Sequence, residues 1–591
     1  MASAHARLDA LRAHMAELGL DGYVVPRNDA FLGEYIAPSA ERLAWLTGFT
    51  GSAGTAIVLA DRAALFTDGR YMLQIAEETD GALWEHWHLH EHPPGRWLDA
   101  LDRAGLRIGY DPMLLSAARL ETLTGTWGCP VPVAGNLVDG IWTDRPAPPT
   151  GPAVAQPEAW TGRSADAKRV ALAETLRRDG QDAVILADPS SICWLFNLRG
   201  TDLAHTPVLL AYALVRADAT ATLFVDPARI APAVRSGLGP QVDVVEAARM
   251  QEMLAALSGQ QVRVDPERTP LWFTQTLEQH GARPVRAPDP CLLPRACKTQ
   301  AERDGMRTAH RLDGAALCRF LRWVETEGIG RTELEVADQL LALRMQSSEC
   351  VMASFEAISA TGPNAALMHY HPKAATAARL QAGQLYLIDS GGQYPGGTTD
   401  VTRTVWLGDA VPPVYLREQF TRVLQGHIQL AEAVFPDGTS GHRLDSLARL
   451  ALWRSGLDFD HGAGHGLGSF LSVHEWPLAF TSRPSAEPVH AGMVLTNEPG
   501  YYEPGSHGIR LENAMEVVPA SVGARNRPFL RFEPLTLVPF QRRMILPALL
   551  DDAERRWIDS YHSLIQTRLS PMLDTGMTAW LEAACCPLAV V

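Results

Sequence analysis

The sequence predicts a mixed α/β and α+β protein in which two similar α/β segments precede a longer α+β segment. Three observations carry this. The chain of 591 residues exceeds what one ordinary core accommodates. Its first two segments open on the same helix, glycine and strand pattern. The third turns midway into short strands, glycines and clustered His, Asp and Glu. The expected divisions are residues 1–152, 153–296 and 297–591.

In the first segment Leu8, Leu11, Met15 and Leu18 recur at helical spacing, followed by Gly19, Asp21 and the strand-like Tyr23-Val24-Val25. In the second, Leu172 and Leu176 lead to Gly180, Asp182 and Val184-Ile185-Leu186. One constant offset aligns Leu11 with Leu172, Met15 with Leu176, Gly19 with Gly180 and Asp21 with Asp182. Trp45-Leu46 and Trp194-Leu195 follow at a slightly shorter offset. A helix stopped by glycine and followed by a buried strand is an α/β signature. Its recurrence points to a duplicated domain rather than a short-period solenoid. Two proline-dense stretches, Pro146 to Pro157 and Pro284 to Pro294, disfavour helix and read as linkers. The third segment opens on an expected helix over 300–325, with Leu312, Ala316, Phe320 and Val324 on one face.

Composition narrows the class. Apolar residues make up 46% and charged residues 20%, as in a globular protein. A formal charge of −15 argues against a nucleic-acid partner. No apolar run approaches the ~18–20 residues that span a bilayer, so no membrane is expected. The N-terminus enters a polar periodic pattern without a signal-peptide core. Eight cysteines without C-x-x-C spacing suit a reducing cytoplasm and unpaired thiols.

Chemistry is to be sought in three clusters of the third segment. Leu385-Tyr386-Leu387-Ile388 is an apolar strand ending in Asp389, and 398–405 alternates at period two, with Asp400, Thr402 and Thr404 sharing a face. Two such strands joined by glycines can bring Asp389 and Asp400 together, and buried carboxylates require something cationic nearby. The second cluster is His461-Gly462-Ala463-Gly464-His465-Gly466-Leu467-Gly468, then His474-Glu475. It matches no phosphate loop and no H-E-x-x-H zinc motif, and the chain has no G-x-S-x-G elbow. Its glycines read as places where backbone passes close to a site. The third cluster places Glu498 after the strand-like Val494-Leu495, and Arg510 and Glu512 on one face of a later strand.

Singly, Asp389 reads as a turn residue, Glu498 as a loop acid, and Arg510 with Glu512 as an ordinary same-face ion pair worth little. Together, Asp389, Asp400, Glu498, Glu512 and His465 supply four negative charges and one imidazole, enough to balance two divalent cations. Oxygen-rich ligation with one nitrogen suits manganese or cobalt, and zinc is compatible. Two such ions ~3.5–4 Å apart can share a water and supply hydroxide at neutral pH. That is hydrolytic chemistry.

The spans Tyr386–Tyr394, Gly396–Thr404, His461–Glu475, Asn497–Glu503 and Gly508–Asn513 resemble the pita-bread metallopeptidases, specifically aminopeptidase P of the large three-domain cytosolic type. A tail resembling that family's, Phe532 to Phe540, precedes a helical extension. The resemblance implies two creatinase-N-like α/β domains before a pita-bread α+β domain, and release of the residue before proline from peptides with N-terminal Xaa-Pro. It implies that Asp400 and Glu512 bridge two metals, with manganese the expected ion, Asp389 completing one site and His465 and Glu498 the other. Glu498 is then also the general base. His369 would lie near the scissile bond, and His461 in the pocket for the substrate's proline. His474 would hold the oxyanion or the proline-side carbonyl, Arg510 would stand behind Glu512, and Tyr502 is read as packing. A cytoplasmic homodimer is implied, its N-terminal domains restricting access. Two departures, Gly396 in place of aspartate and His507 in place of an aromatic residue, touch no expected ligand. The rivals are a prolidase acting on dipeptides and an inactive pita-bread binding module.

Overall fold

The computed structural model describes residues 3–101, 103, 105–124, 129–485, 487–522 and 527–588. It falls into two compact units: Met1–Gln156 with Arg163–Leu292, and Pro157–Gly162 with Leu293–Val591.

The first unit holds two six-stranded sheets of matching design. Helix α1 (Ala4–Glu17) starts at Ser3, whose hydroxyl accepts the Ala6 N–H at 3.2 Å, and it buries Leu8, Leu11 and Met15. The helix stops before the expected Leu18, which caps it and stays exposed, and Gly19 takes a left-handed φ of +62°. Helix α2 (Ala165–Arg178) repeats this with Ser164 as cap, Leu172 and Leu176 buried, and Gly180 at φ +68°. After each glycine an aspartate ties the central strand to its parallel neighbour. Asp21 accepts the Arg107 N–H at 2.8 Å, and Asp182 accepts the Gln261 N–H at 2.7 Å.

The first sheet comprises β1 (Gly22–Pro26), β2 (Thr55–Leu59), β3 (Ala63–Thr67), β4 (Glu85–His88), β5 (Arg107–Tyr110) and β6 (Cys129–Pro132), ordered β4-β3-β2-β1-β5-β6. The second comprises β7 (Ala183–Leu186), β8 (Tyr212–Arg216), β9 (Ala221–Phe224), β10 (Val242–Val245), β11 (Gln261–Val264) and β12 (Arg283–Arg286), ordered β10-β9-β8-β7-β11-β12. Position for position, the pairings are parallel or antiparallel in the same sense. Within this unit Phe31 stacks on Tyr212 at 4.7 Å, and the Tyr212 hydroxyl donates to the Ala30 carbonyl at 2.6 Å.

The linker expectation needs correction. Residues 145–153 have no regular structure, but Pro294 lies in the short helix Leu292–Ala296 and Pro284 in β12. That strand is the edge of its sheet, where a missing N–H costs no ladder bond.

The second unit opens on α3 (Gln300–Trp323), started by a capping box between Thr299 and Glu302 and burying Ala316 and Phe320. It passes into a π-helical turn, Val324–Gly328, and α4 (Glu333–Arg344) follows. Strands β13 (Ile358–Thr361), β14 (Leu385–Ser390) and β15 (Val401–Trp406) form an antiparallel sheet in chain order. Two helices, α5 (Val414–Ala431) and α6 (Gly441–Trp453), come next. A second sheet uses β16 (Val434–Pro436), β17 (Gly464–Gly466), β18 (Glu475–Phe480), β19 (Val494–Asn497), β22 (Asn513–Ala520) and β23 (Phe529–Pro534), ordered β16-β23-β22-β19-β17-β18. Between β19 and β22 stands the hairpin β20 (Gly500–Glu503) and β21 (His507–Arg510). Helices α7 (Asp552–Leu569) and α8 (Thr575–Ala584) close the core, which joins Phe420, Leu424 and Leu452 to Ile558, Ile565 and Leu581.

The expected strand over 398–405 is also corrected. It begins only at Val401, because Gly397–Thr398 pairs back onto Gly392–Tyr394. A Cβ on Gly391 would lie 1.9 Å from the Thr399 carbonyl oxygen, so the chain crosses itself too closely there to continue the ladder.

Among the described residues none of the eight cysteines forms a disulfide; Cys129 and Cys586 are exposed, while Cys193, Cys291, Cys318, Cys350 and Cys585 are buried. Among the described residues no helix is long and apolar enough to cross a membrane.

Candidate metal centre

The acids converge where strands end. Asp389 lies near the end of β14 opposite Thr402, and Asp400 stands immediately before β15. Glu498 sits between β19 and β20. Glu512 falls in the gap between β21 and β22, not in one continuous strand with Arg510 as expected. Strand termini leave the side chains free of sheet alternation, so residues from different sheets can face one point.

His465 is the middle residue of β17. Its backbone N–H donates to the Thr496 hydroxyl at 3.0 Å, and its Nδ1 lies 2.9 Å from the Gly466 carbonyl. That contact assigns the proton to Nδ1 and turns the Nε2 lone pair toward the acids. Nε2 is 3.4 Å from Asp400 Oδ2 and 3.8 Å from Glu498 Oε1. The preceding Gly464 is required, since a Cβ would lie 2.1 Å from the Thr496 carbonyl oxygen. Asp400, His465 and Glu512 each offer a ligand atom, all within 4.8 Å of one another.

The cluster is charge-rich and dry. Asp389, Asp400 and Glu512 are each at most 8% exposed. Burial pushes the Glu498 carboxyl up to about 8, with Glu512 adding to the effect. Asp400 and Glu512 are also driven well above the usual carboxylate range, by burial first and then by neighbouring acids including Asp389. Oδ1 of Asp389 and Oδ1 of Asp400 are buried without a hydrogen-bond partner. Orphaned carboxyl oxygens beside an imidazole Nε2 are what a cation-binding set presents, and this donor set fits two hard or borderline divalent ions.

Arg510 serves two acids at once. Its Nη2 pairs with Asp389 Oδ2 at 2.6 Å, whereas Glu512 is reached through a relay. Arg510 Nε donates to the Thr402 hydroxyl at 3.2 Å, and that hydroxyl donates to Glu512 Oε2 at 2.8 Å. Tyr502, read from sequence as packing, also belongs to the site's polar frame. Its hydroxyl accepts from Arg510 Nη1 at 2.7 Å and lies 2.9 Å from His461 Nε2. No sequence signal separates it from Tyr501, whose hydroxyl donates to Glu503 at 2.5 Å instead.

His474 stacks edge-on against His465, ring centroids 4.4 Å apart. The next residue, Glu475, is buried, bonds to Lys298 and lies 3.5 Å from Arg295, which anchors the start of β18. His461 Nδ1 lies 3.9 Å from Glu498 Oε2. His369 is half-buried in a turn after the 3-10 segment Gly362–Ala366. That segment presses on β21, for a Cβ on Gly508 would meet the Ala365 carbonyl oxygen at 1.7 Å.

These shifts fix a pH dependence for the chelated protein. A carboxyl whose folded pKa is raised binds its proton in the folded chain when the unfolded chain has released it. Stability therefore falls as pH climbs from the ordinary 4.5 through about 8 for Glu498, and Asp400 and Glu512 act in the same direction. Thermal melts in EDTA should give a lower Tm at pH 8 than at pH 6, and added Mn2+ should raise Tm more at pH 8. A Tm that rises with pH under chelation would refute the electrostatic account.

Comparisons with known proteins agree in extent. The pattern described as metallopeptidase family M24 matches residues 304–519, and its C-terminal region matches 528–588. The creatinase/prolidase N-terminal domain matches twice, at 7–139 and 144–302. Aminopeptidase P2 of Arabidopsis thaliana is 36% identical, over 99% of this chain and 88% of that one. A probable Xaa-Pro aminopeptidase P of Fusarium vanettenii is 37% identical over 98% of both chains. The solved X-prolyl aminopeptidase of Caenorhabditis elegans, described as a cytosolic enzyme with a di-nuclear active site, is 34% identical over 100% of both chains with a TM-score of 0.94. The prolidase of Pyrococcus horikoshii shares the fold at 24% identity and TM-score 0.51, but covers 63% of this chain.

Proposed function

Because the chain belongs to the M24 metallopeptidases of the Xaa-Pro aminopeptidase P type, we propose that it releases the N-terminal residue from peptides whose second residue is proline. The observation that carries this is the cluster of buried Asp400 and Glu512 with half-buried His465, set in a chain similar to Xaa-Pro aminopeptidases along its whole length. Asp400 and Glu512 would each serve two divalent ions, Asp389 would complete one set of ligands, and His465 and Glu498 the other. Manganese is the favoured ion, with cobalt or zinc compatible. When bound, such ions polarise the scissile carbonyl and lower the pKa of water.

The chain's own groups do the rest. Glu498 takes a proton from the attacking water on a carboxylate oxygen and returns it to the departing proline nitrogen. His474 donates to the oxygen on which charge develops, a contact stronger in the transition state than in the ground state. His461, oriented by Tyr502, borders the proline side, and His369 meets the substrate beside the bond to be cut. Arg510 holds Asp389 directly and Glu512 through Thr402. A three-domain layout of 1–152, 153–296 and 297–591, a cytoplasmic location and a homodimer complete the reading, and light scattering tests the last.

The decisive assay compares Arg-Pro-Pro and longer Xaa-Pro peptides with the dipeptide Ala-Pro, at defined metal loading. Cleavage of the longer peptides is expected. Activity confined to the dipeptide would instead make the chain a prolidase, and a metal-free, inactive protein would make it a binding module. His474→Ala should keep full metal content and lower kcat about 100-fold or more with little change in KM, as for other lost oxyanion donors.

A further inference from the structure

The strongest unassigned device in the second unit is a buried carboxylate on α4. Glu333, the first residue of that helix, is fully buried. Its carboxylate is met by four donors, all from residues 361–378. Oε1 accepts the Thr361 N–H at 2.7 Å, and Oε2 accepts the Ala378 N–H at 2.8 Å. Asn364 Nδ2 reaches both oxygens at 3.0 Å, and the Tyr370 hydroxyl donates to Oε2 at 2.8 Å. Asn364 also donates to the Tyr370 hydroxyl at 3.0 Å.

One carboxylate thus holds both ends of a segment and a point near its middle. An anion buried this deeply is tolerable only with its lone pairs filled, so the four donors cannot drift away independently. The N-terminal end of α4 favours the same charge. The donor at the middle, Tyr370, directly follows His369. Its ring packs against Ile358, Ala360, Ala365 and Leu387, so ring and hydroxyl are both fixed. On its other side the segment abuts Gly508 of β21, two residues before Arg510.

We propose that Glu333 is a positioning residue that staples the segment 361–378 and so sets His369 for contact with the substrate. The proposal rests on the reading of His369 as a substrate-side residue. Glu333 touches no reacting atom and acts only through the segment it holds.

The test uses Glu333→Gln and Tyr370→Phe in the full-length, metal-loaded protein. Glutamine keeps the shape but presents an NH2 group to donors on one side. Phenylalanine keeps the packed ring and removes one donor, so it remains informative if the Gln variant folds poorly. Hydrogen exchange of the amides in 362–377 is expected to quicken about 10-fold or more in either variant, with β14 and β15 unchanged. On an Xaa-Pro tripeptide, kcat/KM should fall about 10-fold for Tyr370→Phe at unchanged metal content. In a His369→Ala background the same change should cost nearly nothing, because both alter one contact.

Unchanged exchange in 362–377, or exchange that quickens evenly across the unit, overturns the proposal. Losses that simply add to that of His369→Ala overturn it as well. A wild-type enzyme that leaves Xaa-Pro peptides uncut defeats the functional reading and not the staple, which the exchange pattern then decides alone.

Discussion

Asp400→Ala should lose metal and activity together, with kcat/KM down at least about 1,000-fold, since changes merely behind a ligand already cost about 10–100-fold. The geometry explains the severity. Asp400 faces both His465 and Glu512, so its loss opens the cluster at its centre. The same variant carries a second signature. In EDTA it should melt higher than chelated wild type at pH 8, because one of several mutually repelling buried acids is gone. Elemental analysis, a peptide assay and two melting curves check all three outcomes. Full activity with undiminished metal content would refute the assignment of Asp400.

Arg403→Met should bring the largest loss of stability, about 4 kcal/mol or more, with the site collapsing as a result. Arg403 is fully buried, on the face of β15 opposite Thr402 and Thr404. Its Nη1 donates to the carbonyls of Thr402 at 2.8 Å and Glu512 at 2.6 Å. Its Nη2 donates to Asn513 Oδ1 at 2.7 Å, to the Val538 carbonyl at 2.6 Å and to the Tyr561 hydroxyl at 3.2 Å. The guanidinium lies over the Phe540 ring, 4.4 Å from its centroid. One cation therefore ties the strand after Asp400, the backbone of Glu512 and helix α7 together. Methionine fills most of the volume but strands these acceptors. Urea unfolding measures the loss, and a change below about 1 kcal/mol would mean that the carbonyls find other donors.

The duplicated half was legible because its signals are local. Spacing of Leu11 and Met15, or of Leu172 and Leu176, marks a helix face, and Gly19 and Gly180 mark where it must stop. Residue types and glycines likewise marked out the region where Asp400, His465 and Glu512 meet. What escaped depends on through-space partners. Tyr502 differs from Tyr501 only in which way the hairpin turns it, and Arg510 reaches Asp389 because β14, β15 and β21 lie side by side. The relay through Thr402 needs the β14–β15 register, which no spacing encodes. Glu333 looks like any acid in a first helical turn until the segment it binds is folded onto it.

The sulfur inventory has a practical corollary at the bench. With two thiols facing solvent and five enclosed, a mild thiol-reactive dye labels the native chain sparsely and the denatured chain heavily. Because Cys193 and Cys291 belong to one compact unit and Cys318, Cys350 and Cys585 to the other, peptide mapping of the dye tells which half came apart first. The chain thus carries its own unfolding reporters, half by half, without an engineered probe.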